Sequence, residues 1–259
     1  MILLGRPIAQ KIEGGLKKKK SPKNLLVIQV GDDETSNLYI RKKSELASEL
    51  GVKLELQKFP NEISEAKLIE AIHQANFDET VGAIVVQMPL PAGFDRDKIA
   101  LEVAKEKDID GFHYILAGGG NHIPPTVLAI DEIVKYYRPE ALDKNILIVG
   151  GGFLVGQPLY RYWRDKGLNI QILKKDDSQY EQKLQANDLV VVATGGGRRF
   201  SYRDFKPGAV VIDASTMSEN KKIIGDVDKT DWPDDIDLAP VPGGIGPLTV
   251  ALLLRNFFE

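Results

Sequence analysis

The sequence contains no cysteine, which excludes disulfides, thiolate nucleophiles and cysteine-ligated metals. Histidine is nearly as scarce. His73, His113 and His122 are the only three, and they lack the spacing of a metal-binding helix, so no metal is expected. A strong charge of one sign is missing too. The formal net charge of −3 offers no broad basic field, and no nucleic-acid partner is expected. The basic run at 17–20 is local and reads as a solvated helix end. No stretch approaches the ~18 uninterrupted apolar residues that would suggest a membrane span. The first residues lack the long apolar core of a signal peptide. The expectation is a soluble cytoplasmic protein without a membrane partner.

What is present is globular in character. With 43% hydrophobic and 27% charged residues, the 259-residue chain can build one large core or two ordinary ones. Apolar runs bounded by turn residues alternate with stretches of helical period. Strands are expected at 25–30, 52–59 and 83–87, with helices over 35–50 and through Ile63, Ala66, Ile69 and Ile72. A second series begins near Asn145, with strands at 146–149, 170–173, 189–193 and 209–213, a short one before Pro240, and a helix over 154–166. This order implies two α/β units with mainly parallel sheets. The Gly- and Pro-rich tract 117–125 marks the approach to their boundary. The apolar tail 248–258 is a helix candidate that composition assigns to neither unit.

Several local patterns carry chemistry. Gly150, Gly152 and Gly156 follow a strand and open a helix. Such a turn lets backbone approach a pyrophosphate at a helix N-terminus, although a tight βα turn that binds nothing has the same glycines. The next strand runs into Lys174-Lys175-Asp176-Asp177, where a base favours NADP and an acid favours NAD. Both signs are present. Tyr39 and Lys43 are four residues apart and share a helix face, an arrangement found in proton-transfer sites and also on ordinary surfaces. Gln87 ends an apolar strand, an awkward place for an amide without a partner, and Asp108 and Asp110 lie in a polar loop.

Five ordered segments together carry a family resemblance: 36–43, Val86-Gln87-Met88-Pro89-Leu90-Pro91, Asp108-Ile109-Asp110-Gly111-Phe112-His113, Gly225-Asp226-Val227-Asp228, and Pro240-Val241-Pro242-Gly243-Gly244-Ile245-Gly246-Pro247-Leu248-Thr249. The chain resembles the bifunctional methylenetetrahydrofolate dehydrogenase/methenyltetrahydrofolate cyclohydrolase family over essentially its whole length. The resemblance implies a folate-side domain of residues 1–119 and 245–259, a Rossmann-like dinucleotide domain of 120–244, an active site in the cleft between them, and a homodimer. Lys43 matches the catalytic lysine, Gln87 its hydrogen-bond partner, Tyr39 the tyrosine near the pterin and Asp110 the aspartate that recognises the pterin. Gly244, Ile245 and Pro247 match the loop closing over folate and nicotinamide. The cofactor site implied comprises Gly150, Gly151, Gly152, Gly156, Lys174, Lys175, Thr194, Gly195 and Ile245.

The cofactor half departs from the family pattern. Gly150-Gly151-Gly152 stands where Gly-Arg-Ser is usual, and Lys174-Lys175 where His-Ser is usual. The usual Pro-Cys-Thr-Pro-x-Gly survives only as Pro124-Pro125-Thr126-Val127-Leu128-Ala129. NADP is expected, with Lys174 or Lys175 replacing the missing arginine, and NAD is the alternative. The expected activity is oxidation of methylenetetrahydrofolate followed by hydrolysis of the methenyl product. A cyclohydrolase without dehydrogenase activity, or a silent folate-binding paralogue, are the other readings.

Overall fold

The computed structural model describes residues 1–174, 177–219 and 222–259, so Lys175 and Asp176 lie outside the described residues. The chain divides into two compact units, Lys11–Pro125 with Val250–Glu259, and Met1–Gln10 with Thr126–Thr249. Both are α/β units built on a parallel sheet, as the alternation of strand and helix patterns implies.

Helix α1 (Arg6–Leu16) crosses the division between the units, and the basic run at 17–20 follows its end, exposed. Strand β1 (Asn24–Val30), helix α2 (Glu34–Glu49), strand β2 (Leu54–Phe59), helix α3 (Glu65–Phe77) and strand β3 (Val81–Val86) come next. Their sheet has the order β2-β1-β3. The central β1 is buried along nearly its whole length, which is why an unbroken apolar run encodes it. The edge strand β2 starts at Leu54 rather than Val52, whose N–H instead caps the end of α2 by donating to the Ala47 carbonyl (2.8 Å). Helix α2 begins where Asp33 accepts the Ser36 N–H (2.7 Å), satisfying one otherwise unpaired donor of the first turn. It ends at Gly51, whose φ of 72° suits a residue without a Cβ.

Leu26, Ile28, Leu68, Ile72, Ile84 and Ile99 form the core of this unit, completed by helices α4 (Arg96–Leu101) and α5 (Phe112–Ala117). Between these helices the chain runs along β3. The Ile84 N–H donates to the Lys107 carbonyl (2.9 Å), and Asp108 forms a parallel bridge with Ile84. Lys107 is buried and donates to the Ala75 and Asp78 carbonyls at 2.9 and 2.8 Å. That bridge sets the position of Asp110.

The other unit comprises α6 (Pro125–Tyr137), β4 (Ile146–Val149), α7 (Gly156–Arg164), β5 (Ile170–Leu173), α8 (Tyr180–Ala186), β6 (Leu189–Val192), β7 (Val210–Asp213), β8 (Met217–Glu219), β9 (Lys222–Ile224) and β10 (Asp237–Ala239). Helix α9 (Ile245–Phe257) then crosses the division. The sheet order is β10-β7-β6-β4-β5. The chain leaves β4 for β5 on one side and returns to β6 on the other, which creates a topological switch point between β4 and β6. The short strands β8 and β9 pair antiparallel and are largely exposed; no sequence pattern announces them. Residues at the start of the chain extend the sheet beside β10, with the Leu3 N–H donating to the Leu238 carbonyl (2.7 Å). Helix α7 begins at Gly156 rather than at 154, because the Gln157 N–H reaches back to the Gly152 carbonyl (3.1 Å) and holds 153–155 as a turn; it ends at Arg164 rather than 166, where the Leu168 N–H turns back to the Trp163 carbonyl (3.1 Å). No helix among the described residues is long and apolar enough to cross a membrane.

Candidate active site

Lys43 and Tyr39 lie one turn apart on α2. Gln87 follows β3 and remains in the ladder, its N–H donating to the Ile28 carbonyl (2.9 Å). Its side-chain Nε2 donates to the Met88 carbonyl (2.8 Å). Only the amide nitrogen can make that bond, so Oε1 is left to face Lys43, whose Nζ donates to it at 3.0 Å. The ammonium over the Tyr39 ring is that of Lys42, 5.5 Å from the ring centre.

Asp110 follows the Asp108 bridge. Asp108 fixes the turn by accepting the His113 N–H (2.8 Å), while its Oδ1 is buried with no partner. Burial draws the Lys43 pKa down, and the negative charge of Asp110 opposes that shift. Burial likewise pushes Asp110 up to about 6, with Lys43 opposing the rise and Asp108 adding to it. Both groups are thus moved toward the neutral range, as proton-transfer groups require. Among the described residues no three His, Cys, Asp or Glu side chains are grouped to hold a metal.

The glycine turn occupies the switch point of the other unit. Gly150 has φ 103°, and a Cβ there would lie 2.4 Å from the Ala193 carbonyl oxygen. A Cβ on Gly156 would lie 1.9 Å from the Gly150 oxygen, whereas one on Gly152 would meet nothing within 4 Å. Gly150 and Gly156 therefore allow the turn to close, and Gly152 opens on free space. That is a cradle a dinucleotide pyrophosphate fits. Pro158 brings no N–H to the first turn of α7, and the Gln157 N–H is used within the turn, so the helix end offers fewer donors than most. Gly151 packs near the Gln157 amide. Lys174 is exposed just beyond β5; Lys175 is outside the described residues. Asp177 accepts from Lys183 Nζ (2.5 Å) and the Gln179 N–H (2.9 Å). These bonds, that of Lys183 foremost, hold its carboxyl below the usual range.

Thr194 and Gly195 belong to a loop after β6 whose donors have a common acceptor. Asp226, fully buried, accepts from Thr194 N (2.7 Å), Thr194 Oγ1 (2.7 Å), Gly195 N (3.0 Å), Gly196 N (2.7 Å), Gly197 N (2.9 Å) and Ser215 Oγ. Burial works against its charge, but the bonds from Ser215, Thr194 and Gly197 outweigh that and keep its pKa below the usual range. Asp213 stands behind it, accepting from Ser215 N (3.1 Å) and Val227 N (2.9 Å). Burial, reinforced by Asp226, raises Asp213 to about 6. The sequence reading gave neither residue a role. The signals were an acid among apolar neighbours at each position and, for Asp226, its place in one of the five segments that carry the family resemblance.

Gly244 and Ile245 are buried and Pro247 is half-buried where the chain enters α9. The Gly244 N–H closes the turn on the Pro240 carbonyl (2.7 Å), and a Cβ at Gly244 would crowd that same carbonyl. The structure thus brings Lys43, Gln87 and Asp110 together in one unit. In the other it gathers the glycine turn and the 194–197 loop around a strand-order switch.

Comparison with known proteins identifies the family of the chain. Residues 3–110 match the model for the tetrahydrofolate dehydrogenase/cyclohydrolase catalytic domain, and residues 124–259 match that for its NAD(P)-binding domain. The bifunctional protein FolD of Aquifex aeolicus is 35% identical, the alignment covering 99% of this chain and 93% of that protein. Among solved structures, the FolD methylenetetrahydrofolate dehydrogenase/cyclohydrolase of Campylobacter jejuni has a TM-score of 0.91 at 30% identity, covering 100% of this chain and 97% of that one. The Trypanosoma brucei enzyme, solved with NADP and an inhibitor, has a TM-score of 0.88 at 25% identity, covering 99% and 95%. With both domain models matched in sequence and the whole fold shared, the chain belongs to the tetrahydrofolate dehydrogenase/cyclohydrolase family.

Proposed function

We infer that the protein oxidises methylenetetrahydrofolate to methenyltetrahydrofolate with a nicotinamide dinucleotide and hydrolyses the methenyl form to formyltetrahydrofolate. The observation carrying the hydrolytic half is the Lys43–Gln87 bond, with Asp110 acting electrostatically on the same lysine. Water adds to the methenyl carbon as neutral Lys43 takes its proton. The resulting ammonium then returns a proton to the ring nitrogen as the carbon–nitrogen bond opens, and the carbinol hydroxyl loses its remaining proton to solvent as the formyl carbonyl forms. Gln87 holds Nζ in place throughout, because its own amide is anchored on Met88. The Asp110 carboxylate accepts N–H donors of the pterin, and Tyr39 flanks the ring. On this reading the unit carrying Lys43 is the folate side. On the family resemblance, Gly244, Ile245 and Pro247 contribute to binding of folate and nicotinamide.

A bound nicotinamide dinucleotide supplies the hydride acceptor for the oxidation. Gly150, Gly151, Gly152 and Gly156 hold its pyrophosphate, and orientation of the two reactants accounts for much of the rate. We favour NADP over NAD. Asp177, the described acid nearest the end of β5, is committed to Lys183 and its own turn, while Lys174 is exposed there. A cytoplasmic homodimer completes the reading, on the family resemblance, and light scattering tests its oligomeric part.

The test combines two absorbance assays, loss of methenyl-folate without dinucleotide and reduction of NADP or NAD with methylene-folate. The parent protein should show both activities. Lys43→Met should lower hydrolysis by about 10²–10⁴-fold, the usual contribution of a general base, while still binding folate. Hydrolysis at the parental rate in this variant would remove Lys43 from the mechanism. A parent that hydrolyses methenyl-folate but reduces neither dinucleotide is a cyclohydrolase alone.

A further inference from the structure

The Gly225-Asp226-Val227-Asp228 segment has no part in the chemistry above, yet it contains the most heavily hydrogen-bonded carboxylate among the described residues. Four successive backbone N–H groups, from Thr194 to Gly197 in turn, converge on Asp226. Gly195 and Gly197 have φ of 67° and 63°, and this alternation of backbone hand turns consecutive N–H groups to one side, as in an anion-binding nest. The nest is occupied by the protein's own carboxylate. Across a trans peptide the carbonyl points opposite to the N–H that follows it. The carbonyls of Ala193, Thr194, Gly195 and Gly196 are therefore directed away from Asp226. The loop also abuts the glycine turn, since the Ala193 carbonyl is what leaves no room for a Cβ on Gly150. A Cβ on Gly225 would lie 1.9 Å from Asp213 Oδ2, so Gly225 permits the close approach that seats the Asp226 segment against β7.

We propose that Asp226 is a positioning residue of the dinucleotide site, filling the nest of residues 194–197 so that the loop presents carbonyl acceptors to ribose hydroxyl or carboxamide groups rather than N–H donors to phosphate. This rests on the reading that this unit takes the dinucleotide, and it divides the labour at the switch point. The Gly150 turn receives the phosphates, and the 194–197 loop receives groups that donate.

Asp226→Asn tests it. The amide keeps the size of the side chain but turns an NH₂ toward N–H groups that need an acceptor, and the loop loses its shape. The KM for the dinucleotide should rise about tenfold or more, the effect of leaving buried donors unpaired. The kcat at saturating dinucleotide should fall less than KM rises, and dinucleotide-free hydrolysis of methenyl-folate should be unchanged. Ser215→Ala, which removes a single donor, should raise the same KM by a smaller factor. Inorganic pyrophosphate should inhibit parent and Asp226→Asn alike. An unchanged dinucleotide KM in Asp226→Asn overturns the proposal, as does weakened pyrophosphate inhibition that parallels the KM. Loss of both activities in Asp226→Asn, with no KM change in Ser215→Ala, also overturns it, since the role is then merely structural. If the parent binds neither NADP nor NAD, the dinucleotide reading itself fails and this inference goes with it.

Discussion

Asp110 and Asp226 each hold a carboxylate away from bulk water, one in each unit, and their surroundings treat them in opposite ways. Asp110 has the Lys43 charge acting on it, its pKa pushed up to about 6 by burial. Among the described residues, Asp226 has six donors and is held below the usual carboxylate range. Withholding hydrogen bonds keeps a buried acid close to the point of changing its protonation. Supplying them converts the same group into a fixed anchor. Of these two sites, that of Asp110 thus favours reactivity and that of Asp226 favours shape.

The strongest way to break this contrast is to spoil shape in the dinucleotide unit and leave the other untouched. In Gly156→Ala the new methyl would sit 1.9 Å from the Gly150 oxygen, a backbone atom that cannot swing aside. The turn must move, at a stability cost of about 1–3 kcal/mol for overpacking. A displacement of about 1 Å near bound reactants lowers rates on the order of 10²-fold, so nicotinamide reduction should fall by that factor while hydrolysis assayed without dinucleotide persists. Equal loss of both activities would show that the two units do not divide the chemistry. Gly152→Ala separates fold from ligand, because its Cβ meets no protein atom within 4 Å: stability should be kept, and any loss of reduction then reports on the pyrophosphate alone.

A second prediction sharpens the reactive side through pH. Asp110 is charged above its pKa of about 6 and neutral below it, and the charged form is the better acceptor for pterin N–H groups. Folate affinity should therefore decline as pH falls through about 6. In Asp110→Asn that acid limb should vanish, with affinity near neutrality reduced about tenfold or more by loss of a charge-assisted bond. The variant also removes the charge that holds the Lys43 pKa up against burial. The rise of hydrolysis with pH, which follows deprotonation of Lys43, should then begin at a lower pH. An acid limb that survives in Asp110→Asn would assign it to another group.

The sequence exposed each half of this contrast unevenly. Strands β4 and β5 were legible to the residue: β4 is a continuous buried apolar run, and the edge strand β5 alternates around the exposed Gln171, each being ended by turn residues. Tyr39 and Lys43 were legible as a pair, since helical spacing is local. The bond from Lys43 to Gln87 spans 44 positions, so no pattern within a window could show it; only the misplaced amide at the end of β3 hinted at a partner. The glycine cluster was visible, but its members looked equivalent. The neighbouring carbonyls of Ala193 and Gly150 decide that closing the turn requires glycine at Gly150 and Gly156 but not at Gly152. Asp226 was hidden most fully, for its donors come from a loop after β6 and from Ser215 beyond β7.

The smallest expected effect concerns which dinucleotide the dinucleotide unit prefers. Lys174 is exposed just after β5, the strand end that faces the adenosine ribose in this class of sheet. An exposed cation beside a 2′-phosphate contributes about 0.2–1 kcal/mol, roughly a 1.4- to fivefold change in affinity. Lys174→Ala should therefore raise the KM for NADP by that factor and leave the KM for NAD as it was. Because the attraction is between solvated charges, raising the salt concentration should shrink the parental preference in the same direction. The turn geometry plays no part in this, so kcat should not change with either dinucleotide. A parental preference for NAD would count against the lysine and return the question to the acids after β5. Asp177 enters that contest already bound to Lys183 and Gln179. Asp177→Asn should then leave the ratio of the two KM values unchanged, and a shift toward NADP in that variant would mean its carboxylate reads the ribose after all.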